Sequence, residues 1–229
     1  MTTGSSVLAG TAHAPSDALA ATALHLARRF SAGATLWAIA PDRDDHARHV
    51  AVEFVHPVIV GTRSLPAAAI VGNDLVNQAR VDVQRGDILL LIGEADLTPL
   101  AELAARGAAW GATTVWLVLG EGPPMRGASF ALHCANEADI VRSYHLLWEL
   151  CHVCLQHPGV LGQDDADDAT VCAVCADEAV TAEVIECGDH GRVRLRTACG
   201  PIDAIDMLGD VHIGDLVMAH AGVVIGRCS

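Results

Sequence analysis

Arg85-Gly-Asp-Ile-Leu-Leu-Leu-Ile92, then Leu97 to Trp110 closed by Gly111, then Thr113-Thr-Val-Trp-Leu-Val-Leu119 is the stretch that decides the fold. Ile88 to Ile92 and Val115 to Leu119 within it are unbroken apolar runs of strand length, and the turn Arg85-Gly86 introduces the first. Between them apolar residues recur at three- and four-residue spacing, the period of a helix. A strand with one wet face alternates polar and apolar residues, whereas a strand covered on both faces does not need to. Strand, helix and strand in this order imply a parallel sheet with helices on both faces, an α/β fold with binding sites at the carboxyl ends of its strands.

The same alternation extends outward. Ser16 is placed to cap an amphipathic run from Ala18 to Phe30, and Thr35 to Ala40 is a short apolar strand. Asp42 to Val55 returns to helical period, Ala67 to Val71 reads as a buried strand, and Glu137 to Gln156 is a long helix halted before Pro158. Gly162-Gln-Asp-Asp-Ala-Asp-Asp168 has no apolar face and repels itself, so it reads as a solvated linker. Beyond it come five short Val- and Ile-rich segments punctuated by Gly: Ala179 to Glu186, Arg192 to Ala198, Ile202 to Met207, Asp215 to His220 and Val223 to Arg227. Arg192-Val-Arg-Leu-Arg196 alternates with period two, giving one wet and one dry face. Five such strands in so short a span predict a small all-β barrel. The expected organisation is an α/β domain over residues 1–160, an acidic linker over 161–170 and a β-barrel domain over 171–229.

The 229 residues include 14 Arg and no Lys against 28 Asp plus Glu, a net charge of −14. That balance argues against nucleic acid as a partner, because phosphate contacts need clustered cations. No apolar run approaches the ~20 residues of a membrane helix, and Met1 to Gly10 shows no basic segment leading into an apolar one. The expectation is a cytoplasmic protein whose eight cysteines serve as thiols or metal ligands rather than disulfides. Cys151-His-Val-Cys154 and Cys172-Ala-Val-Cys175, 17 residues apart, have the spacing of a zinc ribbon. Cys151 and Cys154 also continue the helical period of Leu146, Leu147 and Leu150, so a buried helix face is the competing reading. Cys187, Cys199 and Cys228 have no partner spacing and read as structural.

The last segment carries a resemblance. Cys172 stands before the first barrel strand, and Gly214-Asp-Leu-Val-Met-Ala-His220-Ala-Gly222 has the form Gly-Asp-x-Val-x-x-His-x-Gly. Together they resemble the HypC/HupF family of NiFe-hydrogenase maturation chaperones over roughly residues 171 to 229. The resemblance implies that Cys172 and His220 hold a transient iron with cyanide and carbon monoxide ligands. The chaperone would take this iron from a HypD-like maturation protein and pass it to the NiFe-hydrogenase large subunit precursor. A soft thiolate and one imidazole suit low-spin ferrous iron and leave it detachable. Asp177 and Glu178 lie beside the cysteine and would raise its pKa in the absence of metal. The chain departs from the family in having Cys172 internal rather than beside the chain start, and Ala176 with Cys175 where many members have a proline.

Residues 15 to 158 resemble the SIS (sugar isomerase) domain of phosphoheptose isomerases. The residues that carry this are Asp45-His-Ala-Arg-His49-Val-Ala-Val-Glu53-Phe, Gly72-Asn-Asp74, Gly86-Asp-Ile-Leu-Leu and Tyr144-His-Leu-Leu-Trp-Glu-Leu150. The resemblance implies a site from His49 and Glu53 on one helix and Glu137 and His145 on another. Such a set could move a proton through an enediol with Glu as base and His as acid, or hold zinc. The phosphate loops argue against turnover. Ala40-Pro-Asp-Arg-Asp-Asp45 and Gly93-Glu-Ala-Asp-Leu-Thr98 put carboxylates where amides and hydroxyls would wrap an anion. Glu53 and His145 are then vestigial, no catalysis is expected, and the domain serves as a scaffold for a homo-oligomer, dimer or tetramer.

Overall fold

In a computed structural model, residues 16–57, 61–120, 122, 127–162 and 179–228 are described. The first domain is a parallel sheet of β1 (Leu36–Ile39), β2 (Ala67–Ile70), β3 (Ile88–Glu94), β4 (Thr113–Leu119) and β5 (Phe130–Cys134), in the order β2-β1-β3-β4-β5. Its helices are α1 (Ser16–Ser31), α2 (Asp44–Val55), α3 (Leu75–Asp82), α4 (Thr98–Trp110), α5 (Glu137–Gln156) and the short α6 (Pro158–Leu161). The apolar run of β3 explains the layering. Ile88, Leu90 and Ile92 join one core with α1, α2 and α5, whereas Leu89 and Leu91 join a second with α3, α4, Trp110 and Trp116. A period of two thus feeds two cores, and from Ile88 to Ile92 no position of the strand is left for a polar residue.

The buried carboxylate of Asp87 fixes the register of β1 against β3. It accepts from the Thr35 and Gln84 amides, both at 2.9 Å, and from Trp37 Nε1 at 3.0 Å. Gly111 ends α4 at φ +71°, a left-handed cap that a residue with a Cβ would strain.

The barrel comprises β6 (Val180–Cys187), β7 (Arg192–Thr197), β8 (Gly200–Asp206), β9 (Leu216–His220) and β10 (Val223–Arg227), closed in the order β10-β8-β7-β6-β9. Its inward residues Ala182, Val184, Val193, Leu195, Ala204, Val217, Ala219 and Val224 form a third core. Alternation in β7 is as read, with Val193 and Leu195 inside. The expected wet face is not uniform, however, because Arg196 is half-buried against the first domain. The expected fold class, an open parallel α/β domain followed by a small β-barrel, is what the structure contains.

Several local expectations need correction. Ser16 lies within the first turn of α1 rather than ahead of it. Asp42, at φ +59°, lies outside α2, which starts at Asp44. β2 is a half-buried edge strand of small residues. α3 and β5 are additions, and Leu161, assigned to the linker, still belongs to α6. The linker beyond Gly162, with Cys172, Cys175, Asp177 and Glu178, lies outside the described residues. No described helix is long and apolar enough to cross a membrane.

Candidate functional site

The chain runs from β1 outward to β2 and then back across to β3, so the sheet reverses direction between β1 and β3. Open α/β sheets place ligands beyond the carboxyl ends of the strands at such a point. Arg43 follows β1 here, and Glu94 ends β3. The guanidinium meets Glu94 through two bonds, Nη2 to Oε1 at 2.6 Å and Nη1 to Oε2 at 3.0 Å. Its Nε donates to Glu137 Oε1 at 2.8 Å. These bonds to Glu94 and then Glu137 raise the Arg43 pKa, and the bond from Arg43 holds the Glu94 carboxyl below its usual range. The crevice cation is therefore already paired with two carboxylates, and Asp42, Asp44 and Asp45 are exposed around it. A phosphate would have to displace those carboxylates and approach the remaining ones.

Two helical turns deeper, α2 and α5 bring together three of the four expected residues. His49, Glu53 and His145 each offer one ligand atom, all within 4.8 Å of one another. Glu53 Oε1 lies 3.5 Å from His145 Nε2, and its Oε2 lies 3.7 Å from His49 Nε2. The Glu53 side chain is only 12% exposed, and Oε2 has no hydrogen-bond partner. Burial raises the Glu53 pKa, and the fields of His145, His49 and His152 pull it partly back. His145 Nδ1 lies 2.6 Å from the Val141 carbonyl. A carbonyl can only accept, so in the neutral ring the proton is on Nδ1 and the Nε2 lone pair faces Glu53. That backbone anchor is the usual support of a ligating imidazole. An unpartnered buried carboxylate oxygen between two ring nitrogens fits a divalent cation such as zinc.

The fourth expected residue is elsewhere. Glu137 is occupied by Arg43 and by His46, whose Nε2 is 2.9 Å from Oε2. Its two oxygens are drawn to a guanidinium and an imidazole at the crevice mouth, so the set is three residues, not four. Sequence reasoning missed Tyr144, whose ring stacks on His145 at 4.8 Å and lies 5.5 Å from His49. Burial pushes its hydroxyl up to about 12, so it stays protonated beside the cluster. It also missed Arg43 and His46, although His46 sits one helical turn before Val50.

In the barrel, Gly214 at φ +94° and Gly222 at φ +78° need the freedom of glycine. Asp215 Oδ2 accepts from the His212 amide at 2.9 Å and fixes the turn into β9. His220 closes β9, half-buried, and pairs with Val223 across the hairpin. Val180, the first residue of β6, pairs with Ala219 next to it. The start of β6 therefore lies beside His220.

The zinc-ribbon reading meets an obstacle in α5. Cys151 is fully buried in the core, its thiol donates to the Ala23 carbonyl at 3.3 Å, and burial drives its pKa far up. A thiolate there would have to form without solvent or cation. Cys187 is exposed, and Cys199 and Cys228 are half-buried. In the folded protein a maleimide reagent should label Cys187 within minutes and leave Cys151 unlabelled, read by peptide mass spectrometry. Equal labelling would contradict the burial of Cys151.

No family model matches the chain, and no curated protein does. Solved structures similar to it include two phosphoheptose isomerases. One is a phosphoheptose isomerase from Francisella tularensis, at 17% identity and TM-score 0.49, covering 62% of this chain and 86% of that one. The other is a phosphoheptose isomerase from Neisseria gonorrhoeae, at 17% identity and TM-score 0.47, covering 61% and 84%. At this distance the likeness is one of fold, and no activity transfers with it.

Proposed function

We propose that this chain is a hydrogenase-maturation chaperone. Its barrel carries an iron–cyanide–carbonyl unit on Cys172 and His220 from a HypD-like protein to the NiFe-hydrogenase large subunit precursor. The α/β domain is its docking and oligomerisation scaffold. The observation that carries this reading is the β9–β10 hairpin. Gly214 and Gly222 take positive φ, Asp215 fixes the turn into β9, Val217 lies in the barrel core, and the entrance of β6 lies beside His220. The paired crevice cation supports it from the other side, because Arg43 is already taken by the chain's own carboxylates and is not free for a phosphate.

The test is infrared spectroscopy of the full chain purified anaerobically with its HypD-like partner. Cyanide and carbonyl stretches are expected in the wild type and lost in Cys172→Ala and in His220→Ala. A wild type without them, when the partner is loaded, refutes the proposal.

A second reading is an aldose–ketose isomerase acting on a sugar phosphate. One observation favours it: the His49–Glu53–His145 cluster presents a buried carboxylate of raised pKa, suited to proton abstraction, within reach of two imidazoles. If zinc is held there, these three residues hold it, and the metal would supply polarisation of a carbonyl. Turnover of sedoheptulose 7-phosphate, lost in Glu53→Gln, would decide for this reading over the first.

A further inference from the structure

Glu183 lies on β6 between the inward-facing Ala182 and Val184, so its side chain points out of the barrel. An outward carboxylate on a small barrel belongs in water, yet Glu183 is 0% exposed. The first domain covers it. Oε1 accepts from Arg80 Nε and from Arg106 Nη1, both at 2.6 Å, and Oε2 accepts from Trp110 Nε1 at 2.6 Å. Three donors from α3 and α4 thus satisfy one buried charge, the condition under which such a charge is tolerated.

Four further observations place the same surfaces together. Arg196 of β7 donates to the Arg80 and Val83 carbonyls at 3.1 and 2.7 Å and lies over the Trp110 ring at 5.1 Å. A Cβ on Gly111 would come within 2.9 Å of the Ala198 carbonyl oxygen, so only glycine admits the barrel backbone there. Arg106 also reaches past Glu183 to the Gly214 carbonyl at 2.8 Å, at the turn that feeds β9. Leu216, the first residue of β9, packs into the second core of the α/β domain.

We infer that the α3–α4 face is a docking surface dedicated to the barrel, and that the Glu183 latch holds strands β6 and β9 against it as one cooperative unit. Glu183 pairs with Leu216 three residues from the Val180–Ala219 pair. On the carrier reading, to which this adds, the latch therefore grips β9, which ends at His220, together with its partner β6. The acidic linker would then join two domains that do not move independently.

Amide hydrogen exchange on the full chain tests this. In the wild type, β6 and β9 should exchange as slowly as β3 and β4. Glu183→Gln leaves two guanidiniums without their shared countercharge and should speed exchange in β6 and β9 by about 100-fold or more, with β3 and β4 unchanged. Arg196→Met, which keeps the buried carboxylate paired, should act in the same direction by a smaller factor. Barrel exchange unmoved in both variants, or a wild-type barrel that opens freely while β3 and β4 stay closed, overturns the inference. Iron plays no part in this measurement, so a blank infrared spectrum and an unmoved exchange profile identify different failures.

Discussion

Replacing Trp110 with Ala should lower the stability of the chain by about 4 kcal/mol, at the upper end for a single residue. The ring is 1% exposed and sits in the second core with Leu89, Leu103 and Trp116. Its truncation opens a cavity and also removes a donor from Glu183. The midpoint of thermal unfolding should fall by roughly 10 °C for a chain of this size. Trp110→Phe keeps most of the bulk and loses the N–H to a charged acceptor, an effect of about 1.5–3 kcal/mol. Urea unfolding of the three proteins orders them as wild type, Phe and Ala. Equal losses in the two variants would mean that packing contributes little, against the burial described.

The second large effect concerns Glu53. If the cluster holds zinc, Glu53→Gln should weaken that binding by more than about 100-fold in calorimetric titration, because losing even a supporting partner of a ligand costs 10–100-fold. His145→Ala should match it. Without metal, in chelator, the same substitution should stabilise the protein at neutral pH. The folded-state pKa of Glu53 is raised by burial, so the folded protein holds this proton more tightly than the unfolded chain does. Stability then falls as pH rises from the unfolded value, about 4.3, through the raised folded value, and stays lower above it. Gln carries no such charge, so the variant's advantage should appear above that window and vanish below about pH 4. A wild type more stable than Glu53→Gln at pH 7 in chelator would reverse the sign and refute the account of Glu53 as an uncompensated buried charge.

How much of this was legible in the sequence depended on whether the signal was local. The β3 run, the α4 helix with its Gly111 stop, and the length of α5 depend on neighbours in sequence, and all three could be read there. β5 was missed because Phe130 to Cys134 is an alternating edge strand of only five residues, in a segment otherwise rich in turn formers. α3 was missed because its eight residues bury only Leu75 and Ala79, too few to show a period. In the site, the i, i+4 spacing of His49 and Glu53 made one face of α2 readable, whereas the partner of Glu137 depended on where Arg43 points. Glu183 gave no signal at all. A charged residue at an outward strand position reads as solvated, and only the arrival of α3 and α4 buries it.

The ion pairs of Arg43 have a bearing on what the crevice can accept. Phosphate selectivity is ordinarily built by adding amides and hydroxyls to a loop. In this chain the complement of the cation is already covalently supplied, by Glu94 from the end of one strand and Glu137 from the start of a distant helix. The crevice is thus self-liganded, and the two loops are tied together whether or not a small molecule is nearby. A charge network of this kind acts as a brace across the carboxyl edge of the sheet, holding the end of β3 and the start of α5 on one guanidinium.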